Sequence, residues 1–199
     1  NGKTKLVYEA CAATRRELIR ANITDTTDED DLIGGFRLLN GETVWQDGPA
    51  IEAMKRGAVL LLDEVNLASP KIMCLQPILE GNPIYIKKLN TLVAPSPGFT
   101  IIATANTKGK SSEDGRYIGS NILNEAMLDR FAIHVAHEYP NAKQEVSILS
   151  KILAQNNYTN DESTDFIEKL VKWAGLVRDT QKNGAIDDII TTRRLIHII

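Results

Sequence analysis

Apolar positions change their period along this chain. From residue 3 to about residue 139 helical stripes alternate with short apolar runs, and beyond Pro140 only the helical stripe persists. Lys3 to about Ala13 places Leu6, Val7, Ala10 and Cys11 on one helical face, and Glu17–Asn22 reads as a short strand. Thr24–Asp31 is a polar, acidic loop whose charges are solvated. Phe36–Trp45 predicts a hairpin, because Asn40-Gly41 supplies the positive φ angles of a tight turn. A helix opens at Pro49, buries Ile51 and Met54, and stops at Gly57. Ala58-Val-Leu-Leu-Leu62 then runs apolar without alternation, as in a parallel strand covered on both faces. Ser69-Pro70 starts a helix that runs to about Glu80, and its interior Pro77 predicts a kink or an early stop. Pro83–Ala94 predicts a second hairpin turning near Leu89-Asn90, and Phe99–Ala105 a second buried strand ending on Asn106. A long Gly/Ser-rich loop over 107–120, a short helix over Ile122–Asp129 and an alternating strand over Phe131–Tyr139 complete this part.

After Pro140 one stripe holds Val146, Leu149 and Leu153, and another holds Phe166, Leu170, Ala174 and Val177. A third helix opens at Thr191-Thr192. Helix–strand alternation followed by helices alone predicts an α/β fold. We expect a doubly wound parallel sheet over 1–139 and a small helical domain over 140–199.

Composition narrows the function classes. The chain has 199 residues, is 43% hydrophobic and 25% charged, and carries a formal net charge of −3, so it lacks the clustered basic excess that a nucleic-acid backbone demands. Basic doublets such as Arg15-Arg16 and Lys87-Lys88 are scattered. Two cysteines in apolar surroundings argue against a disulfide framework and fit a reducing cytoplasm. No apolar run approaches the length of a membrane span.

Candidate chemistry gathers at two points. Asp63 and Glu64 end the central apolar run, at the sheet edge where ligands of open α/β folds bind. Paired carboxylates there either turn into water or serve a divalent cation and its phosphate. Asn1-Gly2-Lys3-Thr4 matches the end of the phosphate-binding pattern G-x-x-x-x-G-K-S/T, in which Lys reaches the phosphates and Thr the magnesium ion. The tripeptide alone arises often by chance. Followed by a helix and an apolar Asp-Glu strand, it is informative. The front of such a loop and the strand before it would precede residue 1, so we read the chain as beginning inside its own nucleotide loop.

Together these residues resemble a family. Gly2-Lys3-Thr4, Trp45-Gln-Asp-Gly-Pro49, Leu61-Leu-Asp-Glu-Val-Asn66, Ala103-Thr-Ala-Asn106 and Leu128-Asp-Arg-Phe131 follow one another as in AAA+ ATPases. More narrowly the chain resembles the MoxR-type, dynein-related branch, which includes the small ATPase subunit of cobalt chelatase and midasin. The two hairpins also match that branch. The resemblance implies a P-loop NTPase core whose first strand is missing here, with residues 140–199 as the helical lid. It implies that Gly2, Lys3 and Thr4 hold the phosphates of ATP and, through Thr4, Mg²⁺. Asp63 would bind Mg²⁺ through water, and Glu64 would orient or deprotonate the attacking water. Asn106 matches the sensor of that water or the γ-phosphate, Arg130 the arginine finger offered to a neighbouring subunit, and Arg193 the second sensor on the lid. Asn22 matches the polar residue that restrains the catalytic Glu. A hexameric ring is implied, acting on a protein with a von Willebrand factor A domain or on a chelatase subunit.

Other readings of single residues stay open: Asn106 as a turn residue, Arg130 as a helix-closing surface charge, Arg194 in place of Arg193. Two other functions also stay open. One is a nucleic-acid-directed NTPase motor, and the other is a nucleotide-gated scaffold that does not hydrolyse. His134 and His137 are read as partly exposed residues and not as metal ligands.

Overall fold

A computed structural model describes residues 2–106, 127, 129–156, 161–187 and 190–199. Its elements divide into two compact units, Gly2–His134 and Val135–Ile199. The division falls a few residues before the Pro140 expected from the change of period.

In the first unit three parallel strands form a sheet in the order β1 (Leu18–Asn22), β4 (Val59–Asp63), β7 (Thr100–Ala103). The middle strand is buried at every position, which is why its sequence shows no alternation. Its side chains still point alternately. Leu60 and Leu62 enter a large core with Ile51 and Met54 of α3 (Pro49–Arg56), whereas Val59 and Leu61 pack on Val7 and Cys11 of α1 (Lys3–Ala13). Helices on both faces make the sheet doubly wound. Parallel register sets Asn22 level with Asp63 and Arg20 level with Leu61.

Two antiparallel hairpins stand beside this sheet. The first pairs β2 (Gly34–Leu39) with β3 (Glu42–Asp47) across Asn40-Gly41, whose φ angles of 52° and 85° are those the turn demands. It begins two residues earlier than the apolar pattern predicts, because Gly34 pairs with Asp47. A side chain on Gly48 would meet the Leu32 carbonyl oxygen at 2.4 Å, so the chain can enter α3 only through glycine. The second hairpin pairs β5 (Ile84–Ile86) with β6 (Thr91–Val93), and Asn90 takes a left-handed turn between them.

Three expectations are corrected. The acidic loop over 24–31 contains a helical turn, α2 (Glu29–Leu32), because Asp28 and Asp31 cap it reciprocally. The helix expected from Ser69 to Glu80 is a 3₁₀ stretch, Pro70–Leu75, followed by one α-turn, α4 (Gln76–Leu79). Pro77 lies in the first turn of α4, where its missing N–H does no harm. Phe131–Tyr139 forms no strand: Ile133 and Val135 are 81% and 78% exposed, and no described strand lies alongside to pair with them. The loop expected over 107–120 lies outside the described residues, as does most of the helix expected over Ile122–Asp129.

The second unit holds α5 (Ala142–Gln155), α6 (Asp161–Lys182) and α7 (Thr192–Ile198). Leu149, Leu153, Leu170, Ala174 and Leu195 form its core. On α6 the expected stripe holds at Leu170, Ala174 and Val177, all in or against this core, but not at Phe166. Ile167 and Val171 are buried, while Phe166 is 48% exposed. Glu145, 1% exposed, takes two hydrogen bonds from Arg178, both 2.8 Å, and one from Thr192 at 2.7 Å. Arg178 also stacks on Tyr139, 4.4 Å from the ring centre.

Candidate functional site

The ends of α1, β1, β4 and β7 bring the sequence-predicted residues of the first unit together. Gly2 takes a left-handed conformation, φ 86°, and opens α1 without any side-chain cap or acidic residue in the first turn. The first backbone N–H groups of a helix have no partner within it, and their dipole favours an anion. Lys3 and Thr4 lie in that turn. The Lys3 ammonium donates to Asn106 Oδ1 at 3.0 Å, and the Thr4 hydroxyl donates to Asp63 Oδ1 and Oδ2 at 3.1 and 3.3 Å. Lys3 and Asp63 therefore share one end of the sheet.

Asp63 is 3% exposed at the end of β4. The Thr104 hydroxyl donates to its Oδ1, and Arg20 Nη2 lies 2.6 Å from its Oδ2. Burial works to raise its pKa, but hydrogen bonds from Thr104 and Thr4 and the charge of Arg20 outweigh that. The carboxyl titrates below its ordinary range. An ionised, buried carboxylate facing a hydroxyl is an oxygen donor set that suits a hard divalent cation.

Glu64 follows in a left-handed conformation, φ 62° and ψ 40°, uncommon for a residue with a side chain. Such backbone persists where its surroundings hold it, often at functional sites. Two contacts from the end of β7 hold it here: its N–H donates to Thr104 Oγ1 at 3.1 Å, and Val65 N–H to the Thr104 carbonyl at 2.9 Å. The Glu64 side chain accepts from Asn106 Nδ2 at 3.5 Å, while the Asn106 backbone N–H donates to buried Asn66 Oδ1 at 3.0 Å. Asn106 thus touches both Lys3 and Glu64.

The remaining expected residues lie elsewhere. Asn22 stands level with Asp63, but its amide oxygen accepts from Arg20 at 3.4 Å; the amide that reaches Glu64 is that of Asn106. Arg130 Nε pairs with Glu80 Oε1 at 2.8 Å, next to α4. Arg193 is exposed in the first turn of α7, in the second unit. Sequence reasoning overlooked Arg20, Thr104 and Asn66. The last two lie inside the quoted Ala-Thr-Ala-Asn and Asp-Glu-Val-Asn segments. Arg20 shares a strand face with Asn22 by the two-residue period.

Among the described residues no group of three or more His, Cys, Asp or Glu side chains gathers as a metal cage, and no helix is long and apolar enough to cross a membrane. Magnesium does not need a cage, since it keeps waters and phosphate oxygens beside one or two carboxylates.

Residues 1–131 match the family model for the AAA domain of the dynein-related subfamily. An uncharacterized protein of Staphylococcus saprophyticus is 32% identical over 94% of this chain and 68% of its own length. The aerobic cobaltochelatase subunit CobS of a Sinorhizobium species is 26% identical over 98% of this chain and 60% of its own length. Midasin of Giardia intestinalis is 28% identical over the whole chain, which spans 4% of midasin. The crystal structure of a candidate ATPase from Cytophaga hutchinsonii superposes over the whole chain and 50% of its own length, with a TM-score of 0.57 at 19% identity, a likeness of fold. The chain belongs to the dynein-related subfamily of AAA domains, and with it to the AAA+ ATPases.

Proposed function

We propose that the chain binds Mg·ATP between the first turn of α1 and the ends of β4 and β7, and hydrolyses it there. The observation that carries this reading is the convergence of Lys3, Thr4, Asp63, Glu64 and Asn106 through side-chain hydrogen bonds. Gly2 lets the chain fold back so that the α1 N–H groups face the phosphates, and Lys3 places its charge on the β- and γ-phosphate oxygens. Thr4 and Asp63 would hold the magnesium ion. Magnesium, when bound, neutralises charge on the transferring phosphoryl group. Glu64 accepts a proton from the attacking water as that oxygen bonds to the γ-phosphorus and the bond to the leaving β-phosphate oxygen breaks. Asn106 holds Glu64 and the water in line.

In the same reading Arg193 contacts the nucleotide from a lid formed by residues 140–199, and Arg130 serves the neighbouring subunit of a hexameric ring. An arginine supplied in trans is worth on the order of 10³–10⁵ in rate, so hydrolysis depends on assembly. The ring remodels a cytoplasmic partner protein, either one with a von Willebrand factor A domain or a chelatase subunit. The likeness to CobS supports the chelatase class. Glu64→Gln in the full-length protein tests the chemistry: ATP binding persists and phosphate release is lost. Turnover at the wild-type rate contradicts it.

A further inference from the structure

Among the described residues, one charged group at the site has no role in the proposed chemistry. Arg20, inside β1, brings Nη2 to 2.6 Å from Asp63 Oδ2, and its Nη2 also lies 3.4 Å from Asn22 Oδ1. The register explains the contact. Asn22 pairs with Asp63 and Arg20 with Leu61, and residues two apart on a strand share a face. A long side chain at position 20 therefore runs along the sheet toward the carboxylate at 63. Its side chain is 43% exposed against 5% for Asp63, so the guanidinium approaches from the solvent side and can withdraw without opening the core.

The carboxylate has few acceptor positions left. It offers about four lone-pair sites. Thr104 takes one on Oδ1, Thr4 shares both oxygens, and Arg20 takes Oδ2. The two hydroxyls are neutral, and a hydroxyl bound to a cation through its oxygen can still donate its hydrogen to Asp63. A guanidinium has no lone pair to offer a metal, and its charge opposes a second cation at the same carboxylate.

We propose that Arg20 competes with magnesium for Asp63: it neutralises the buried carboxylate, and swings toward Asn22 when the divalent ion enters. This rests on the proposed nucleotide site. By linkage, the Arg20–Asp63 pair and metal binding weaken each other by the same factor. Arg20 is thus a positioning residue that sets how much free metal the site requires, and it is not itself a magnesium ligand.

The test uses full-length protein, ADP and Mn²⁺, with free Mn²⁺ counted by electron paramagnetic resonance. Arg20→Gln removes the charge and should tighten Mn²⁺ binding on the order of tenfold. Arg20→Lys keeps the charge and should stay close to wild type. Unchanged or weaker Mn²⁺ binding in Arg20→Gln overturns the proposal, because an arginine that merely braced Asp63 for the metal would give that result. The wild type supplies a second measurement that no folding defect of a variant can blur. Rotation about the Arg20 Cζ–Nε bond, followed by ¹⁵N NMR, should accelerate when Mg²⁺ and ADP are added, and unchanged or slower rotation overturns the proposal. Wild-type protein that takes up no Mn²⁺ with ADP overturns the nucleotide site itself and this inference with it. Wild-type uptake with no gain in Arg20→Gln overturns the role of Arg20 alone.

Discussion

Thr4 and Asp63 stand 59 residues apart in the chain, and the Thr4 hydroxyl donates to both Asp63 carboxylate oxygens. The contact ties the first turn of α1 to the end of the most buried strand. The helix turn that the proposed function assigns to phosphate and the carboxylate that it assigns to the cation thereby occupy one end of one sheet.

Thr104 bridges the two acids. Its hydroxyl donates to Asp63 and accepts from the Glu64 N–H, and the residue is 6% exposed. Thr104→Val keeps the shape and removes both bonds, so it should lower unfolding free energy by about 1–3 kcal/mol, the cost of leaving buried polar groups unpaired. Urea denaturation checks this, and Thr104→Ser should stay near wild type.

Arg178 in the second unit neutralises a carboxylate that water hardly reaches. Arg178→Met should cost about 3–5 kcal/mol, because Glu145 is left buried without a counter-charge. The double change Glu145→Leu with Arg178→Met should recover most of that loss in the same denaturation series, since an apolar pair replaces an ion pair with little penalty.

Cys74 gives a pH signature at the alkaline end. Burial first, then the nearby charges of Glu29 and Asp28, push its thiol from 9.0 up to about 11. The folded state therefore holds its proton where the unfolded chain has already lost it. The contribution to stability is complete below pH 9 and disappears as pH rises toward 11. Thermal unfolding between those pH values should show a steeper loss for wild type than for Cys74→Ala; parallel curves would contradict the assignment.

Much of this was legible from residue order alone. Ala58–Leu62 announced a doubly covered strand because no polar residue interrupts it, and Asn40-Gly41 announced its turn because few other residues accept those angles. The candidate site was legible where a strand end carries its own chemistry, as in Asp63-Glu64 and in Asn106 after Phe99–Ala105. Arg20 was not, because its partner is set by the register between two strands and by no local pattern. Nor was the irregular course of Phe131–Tyr139. Alternation gives a segment two faces, but a strand also requires a neighbour that accepts its backbone hydrogen bonds. At the start of the α6 stripe Ile167 turns inward in place of Phe166, because both are large and apolar and only packing decides between them.

The central claim is a location, so the most direct measurement is one of position. Fe²⁺ substituted for Mg²⁺ in the presence of ATP, with ascorbate and peroxide, cuts backbone beside the bound metal, and the fragments can be read by mass spectrometry. The account predicts cuts at Gly2–Thr4 and at Asp63–Glu64, both abolished by EDTA. Cuts confined to other segments, with these two stretches intact, would contradict it.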